Sequence, residues 1–259
     1  MNEINQIPPM IPQPSMQMPP VINGPRALGD DPAERVPITN PIGVIEAVLR
    51  QPRRLLFQLR EPGAGKLIAG MLFASLMCGL VYGLIIGSFS GAEQWWAAPV
   101  KFTAGLLISA LICLPSLYIF AGLSGSTARP GEIFGLVAGL LLLMTVLLIG
   151  FAPVAWLFSQ STNSILWMGV LHLTFWFVAT AFGLRFLEAG FRLTNVRSGA
   201  GLKTWTIIFV LVVLQMSTAL RPLLGRADTF LPTEKQFFLA HWGDCLENQG
   251  QNDQARSKR

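Results

Sequence analysis

Five stretches of this chain run without a charged residue for close to the length of a bilayer crossing, and this constrains the fold more than any motif. They are Leu67–Phe89, Phe102–Gly122, Ile133–Phe158, Ile165–Leu184 and Thr204–Leu220. About 20 apolar residues, each rising ~1.5 Å along a helix, cross a ~30 Å hydrocarbon core. The first four runs reach that length. The fifth is shorter and carries Thr204, Thr206, Gln215, Ser217 and Thr218. Its centre, Ile207–Leu214, is strongly apolar and uninterrupted by charge, so it is also read as spanning. Strands of a membrane barrel would alternate apolar and polar residues. Leu140–Leu143 and Val146–Ile149 show no such alternation. In lipid, uniformly apolar segments satisfy their own backbone hydrogen bonds only as helices. The expected class is all-α, a polytopic membrane bundle of five transmembrane helices.

Composition agrees. Charged residues make up 13% of the chain and hydrophobic ones 52%. A soluble domain carries about 25% charge. That excludes a typical cytosolic enzyme, a disordered chain and a disulfide-stapled secreted domain.

The remaining segments organise around the spans (67–89, 102–122, 133–158, 165–184 and 204–220). Residues 1–40 hold nine prolines, no apolar periodicity and no signal-peptide core, and read as a disordered, Pro-rich cytoplasmic tail. Residues 41–66 read as an amphipathic membrane-surface segment of two short helices. Asn40 can cap the first, with Pro41 at its first position, and Pro52 starts the second. Ile42, Ile45, Val48 and Leu49 share one face of the first helix; Leu55, Leu56 and Leu59 share one face of the second. Arg50, Arg53, Arg54 and Arg60 accompany these faces as a basic set suited to lipid headgroups. Packing on the ends of the spans is the other reading of these helices, and the two are compatible. Residues 221–259 are expected to form an extracytoplasmic tail with a short interfacial helix at 234–247.

Orientation follows from lysine and arginine placement. With the N-terminus cytoplasmic, twelve basic residues precede or link the spans on the inner side, and one, Lys101, lies in an outer loop. The six basic residues of the C-terminal tail follow the last span and weigh less. Trp95, Trp96, Trp156 and Trp167 then fall at the outer interface, where amphipathic rings belong. The expected location is a cell inner membrane, with the C-terminus extracytoplasmic.

Chemical motifs are sparse. Gly63-Ala64-Gly65-Lys66 is not a phosphate loop, because Arg60 and Leu67 stand where a glycine and a hydroxyl residue are required. Two histidines, His172 and His241, and three dispersed cysteines, Cys78, Cys113 and Cys245, suggest neither a metal nor a redox centre. No nucleophile–base arrangement marks a catalytic site, and an enzyme is not expected. No cofactor or nucleic-acid partner is expected either. None of the five runs carries Asp, Glu, Lys or Arg, the usual marks of an intramembrane relay. His172 is the one relay-type residue within them. It is a possible polar site, or else a neutral side chain bonded to Thr174 or a backbone carbonyl.

Small residues form the clearest pattern inside the spans. Ser75, Gly79, Gly83 and Gly87 recur every four residues, and Gly135 and Gly139 repeat the interval. This spacing lets helix backbones approach closely. The partner helix is either in the same chain or in another copy. Pro115 and Pro153 are expected to kink their spans.

The layout resembles the Yip1 family, particularly its bacterial members. The residues that carry the resemblance are Asn40-Pro41-Ile42, the Pro52-Arg53-Arg54 to Glu61-Pro62 stretch and the closely spaced helices over about residues 40–220. It implies a small non-enzymatic membrane protein that works through partners. Together these readings suggest an integral membrane scaffold or accessory protein in contact with the lipid bilayer and with protein partners or further copies of itself. The alternative is a channel or the membrane subunit of a transporter, with a polar path along Thr145, Thr174, Thr180 and Gln215. Clustering of Ser109, Ser116 and His172 would point to an intramembrane enzyme.

Overall fold

The computed structural model describes residues 28–90, 94–161, 165–194 and 199–219. Among these, all regular structure is helical. Three short helices, α1 (Pro32–Arg35), α2 (Pro41–Arg50) and α3 (Pro52–Gln58), precede five long ones. These are α4 (Gly65–Ser90), α5 (Gln94–Leu123), α6 (Pro130–Ser161), α7 (Ile165–Arg192) and α8 (Ala200–Ala219). Four of them, α4 to α7, are long and apolar enough to cross a membrane, and α8 contributes a shorter apolar helix over Ala200–Met216. A membrane helix bundle is therefore the fold, with four full-length spans and a shorter fifth helix.

The helices stand side by side in the order α7, α6, α4, α5, α8, with α6 the most enclosed. Its sequence suits that position. Apolar residues surround α6 on all sides, and Leu140, Leu142, Met144 and Leu148 are fully buried. A helix that is apolar all round is stable only when other helices or lipid cover every face. The other long helices keep large apolar residues on their outer sides, such as Phe73, Leu111, Ile119 and Phe182, which is the surface expected toward lipid.

Helix ends depart from the charge-free runs. α5 starts at Gln94, eight residues before the predicted Phe102, because Gln94–Lys101 continues the helix. Lys101, assigned above to an outer loop, lies inside this helix and is buried. α7 runs on to Arg192, so Arg185 and Glu188, assigned to an inner loop, extend a span. The tail boundary at residue 40 also moves. Residues 28–40 are ordered, with α1 packed on α3, while residues 1–27 lie outside the described set. The 221–259 tail and its 234–247 helix lie outside it too.

Candidate functional site

The short helices form a collar on the bundle end that gathers the starts of α4, α6 and α8 and the ends of α5 and α7. Asn40 caps α2, its side chain accepting from the Gly43 N–H at 3.2 Å, with Pro41 at the first helical position. Val44, Ala47 and Val48 of α2 and Leu55, Leu56 and Leu59 turn inward and are buried. Ile42 and Leu49, expected on the same face as Val48, are instead exposed. The inward set follows α4 and α6, on which α2 lies. This apolar side is therefore spent on the bundle rather than on lipid.

The basic set divides accordingly. Arg53 Nε meets Glu34 Oε1 at 2.6 Å, and the other Glu34 oxygen accepts from the Gly29 N–H at 2.6 Å. Arg54 donates to the carbonyls of Val36 (2.9 Å) and Pro37 (3.3 Å). Arg60 donates to the Leu193 carbonyl beyond the end of α7 at 2.6 Å and pairs with Glu132 of α6 at 3.9 Å. These three arginines, read above as headgroup contacts, fasten the collar to itself and to the bundle. Arg50 is exposed and pairs with Glu46 at 3.8 Å. Serine and threonine hydroxyls close the same end. Thr194 Oγ1 donates to the Phe191 carbonyl, so Ser126 donates its proton to Thr194 at 2.9 Å.

Glu34 holds the residue 28–37 strap, and its charge state matters. Its hydrogen bond from Arg53 lowers the carboxyl pKa below the ordinary 4.5; burial opposes this, and the Gly29 N–H adds to the lowering. A carboxylate whose folded pKa is lowered contributes stability above its unfolded pKa and loses it as pH falls through the folded value. Protection of the Gly29 amide, measured by hydrogen exchange corrected for intrinsic rate, should hold at neutral pH. It should fall roughly fivefold to tenfold only in acid, once pH drops through that lowered carboxyl pKa. Glu34→Gln should give low protection without the pH step. A step of equal size in that variant would refute the assignment.

Inside the bundle, the small-residue stripe faces two neighbours. A Cβ on Gly79 would sit 3.0 Å from Thr103 Oγ1, and one on Gly83 would press on the Pro99 backbone of α5. Ser75, on the same stripe, hydrogen-bonds Thr145 of α6 at 3.2 Å. Thr145 donates its own proton to the Leu141 and Leu142 carbonyls, so Ser75 is the donor. Gly87 is buried. Gly135 admits Leu59 of the collar, and Gly139 admits the Phe186 ring of α7. The partners of Gly79, Gly83, Gly135 and Gly139 are thus within the same chain.

His172 finds its partner in Tyr82, not in Thr174. Tyr82 Oη and His172 Nδ1 are 2.7 Å apart, their rings edge to face, with Phe102 against the tyrosine. A tyrosine hydroxyl donating into Nδ1 leaves the histidine proton on Nε2, and that buried atom has no hydrogen-bond partner among the described residues. Thr174 faces outward and donates to the Val170 carbonyl at 2.8 Å. Tyr82 was legible in principle. It is one of two tyrosines and sits within a span, where a hydroxyl needs a partner. Trp205 was missed as well. Fully buried, it stacks on Phe209 and donates from Nε1 to the Cys113 carbonyl at 2.8 Å, joining α8 to α5 near Pro115.

At the end opposite the collar, Trp95, Trp96, Trp156 and Trp167 are all exposed, as a girdle of interfacial rings would be. No protein-family model matches the chain, and no curated protein or solved structure does.

Proposed function

We propose that the chain is a non-enzymatic integral membrane scaffold or accessory protein, collar and N-terminus cytoplasmic, acting through protein partners or by organising the membrane around it. The observation that carries this reading is the filled interior along α6. Leu140, Leu142, Met144 and Leu148 close the centre, and the Ser75 and Thr145 hydroxyls beside them are spent on each other and on backbone carbonyls. The collar, bolted to the bundle by Arg60, offers a fixed platform on one side. The resemblance to the Yip1 family implies a role of the same kind. The basic residues of the collar end and the tryptophans of the other support a cytoplasmic collar in a cell inner membrane.

A second reading, the membrane subunit of a transporter, is favoured by one observation. His172 Nε2, Thr103 Oγ1 and Thr180 Oγ1 are buried polar atoms without hydrogen-bond partners among the described residues. Such groups are costly in hydrocarbon and are retained where they are used. Thr174, pointing outward, breaks the path expected for it.

One pair of measurements separates the readings. Reconstituted in liposomes, the purified chain should pass ions and small solutes no faster than protein-free vesicles. Crosslinking in native membranes should trap it in defined complexes. Robust flux that His172→Leu abolishes would overturn the scaffold reading. Reporter fusions at Ser126 and Gly199 should read cytoplasmic, and fusions at Ala92 and Asn163 external; the reverse pattern would overturn the orientation.

A further inference from the structure

Between the collar and the start of α4 lies an open groove of about 500 Å³, within the ~300–1,000 Å³ typical of ligand clefts. Its floor is apolar, from Ile38, Phe57 and Leu67, and its polar lining includes Arg35, Lys66 and Glu61. Its depth is set by the sequence. Lys66 is the last charge before the charge-free run that begins at Leu67, so the groove opens where lipid headgroups meet hydrocarbon. Its charges are uncommitted. Among the described residues, Lys66 and the Glu61 carboxylate make no ion pair or side-chain hydrogen bond, and Arg35 spends only Nε, on the Gly29 carbonyl at 2.9 Å.

Two cations and one carboxylate above an apolar floor complement a zwitterion with an acyl-bearing base. We propose that this groove binds the headgroup of an amine-bearing phospholipid of the phosphatidylethanolamine type. Its phosphate is held by Arg35 and Lys66 and its ammonium by Glu61. A guanidinium and an ammonium bind phosphate oxygens through charge-assisted hydrogen bonds. A primary ammonium donates hydrogen bonds to a carboxylate, and the quaternary ammonium of a choline headgroup cannot. The apolar floor takes the glycerol ester region. The proposal requires only that the bundle sits in a bilayer, so its failure would leave the scaffold reading intact.

Native mass spectrometry of the full chain, released from detergent with defined lipids, tests it. Phosphatidylethanolamine should be retained over phosphatidylcholine. Lys66→Gln should weaken that retention roughly fivefold, and adding Arg35→Gln should weaken it by a similar factor again. Glu61→Gln should erase the preference over phosphatidylcholine and raise retention of phosphatidylglycerol. Arg35 also steadies the strap, so Lys66→Gln, which removes no ion pair or side-chain hydrogen bond among the described residues, is the deciding variant. Equal retention of ethanolamine and choline lipids would overturn the proposal. So would retention unchanged by Lys66→Gln, or no retained lipid at all. Full competition by water-soluble glycerophosphoethanolamine at equal concentration would also overturn it, since the site would then belong to a free solute.

Discussion

Gly83→Val should cost this protein about 3 kcal/mol or more of stability, the upper end of the overpacking range. The reason is what lies opposite. A Cβ at Gly83 would come 3.0 Å from Pro99 N and closer still to Pro99 Cα. Both are backbone atoms of α5 and cannot rotate away, as a long side chain could. The helices must therefore separate, and the contacts around Gly83 go with them, including the approach of Thr103 to Gly79. Without hydrophobic expulsion from water to hold helices together, such backbone proximity is a large part of what joins them in lipid. Denaturant titration in detergent micelles, followed by tryptophan fluorescence, should show the loss. Gly150→Ala is the control. Nothing lies within 4 Å of a Cβ there, so the change should be neutral or mildly stabilising, given alanine's better helix propensity of up to about 1 kcal/mol. Equal effects at the two positions would refute the close-packed seam.

Trp205→Ala should release α8 from α5, at about 2–4 kcal/mol. In a bilayer the indole would meet lipid rather than water, so little transfer free energy is at stake. The cost comes from the cavity left by a fully buried ring, the lost stacking on Phe209 and the lost hydrogen bond to the Cys113 carbonyl. That carbonyl, two residues before Pro115, also accepts from the Ser116 hydroxyl at 2.8 Å. Trp205→Phe should keep the ring packing and lose about 1 kcal/mol for the hydrogen bond. Crosslinking between cysteines placed at Ser124 and Gly201, where a side chain on Gly201 would meet that of Ser124, in a chain otherwise free of cysteine, would report the separation. Crosslinking that survives Trp205→Ala undiminished would show that α8 is held by something else.

How far these sites could be read in advance differs by residue. The Ser75–Gly83 spacing marks a stripe of small residues but not which helices it meets. Residues four apart on a helix drift by about 40° per step. Because α4 lies between α6 and α5, the stripe begins against Thr145 of α6 at Ser75 and has crossed to Pro99 of α5 by Gly83. The arginines were equally legible as a cluster and misleading in role. Amphipathic periodicity gives Arg53, Arg54 and Arg60 a polar side. It cannot say that carbonyls at Val36, Pro37 and Leu193 wait there, since one of those lies 133 residues away. His172 stood out as the relay-type residue of the runs, yet its partner Tyr82 is 90 positions distant.

Lys101 shows the limit from the other side. Charge-free runs place span ends at the first charge, but a helix ends where its backbone bonding ends. α5 carries its lysine inward because the helix continues through Gln94–Lys101.

By itself, the sequence determined that this chain is a bundle of membrane helices, which of its ends is basic and which carries the tryptophans. Those properties depend on local quantities: apolar run length and charge position. Only the tertiary structure decided which helices touch, that the collar's arginines turn inward, that Tyr82 meets His172, and that Lys66, Glu61 and Arg35 line one groove. Those depend on pairings between distant segments, and a helix's own periodicity is the same whichever neighbour covers it.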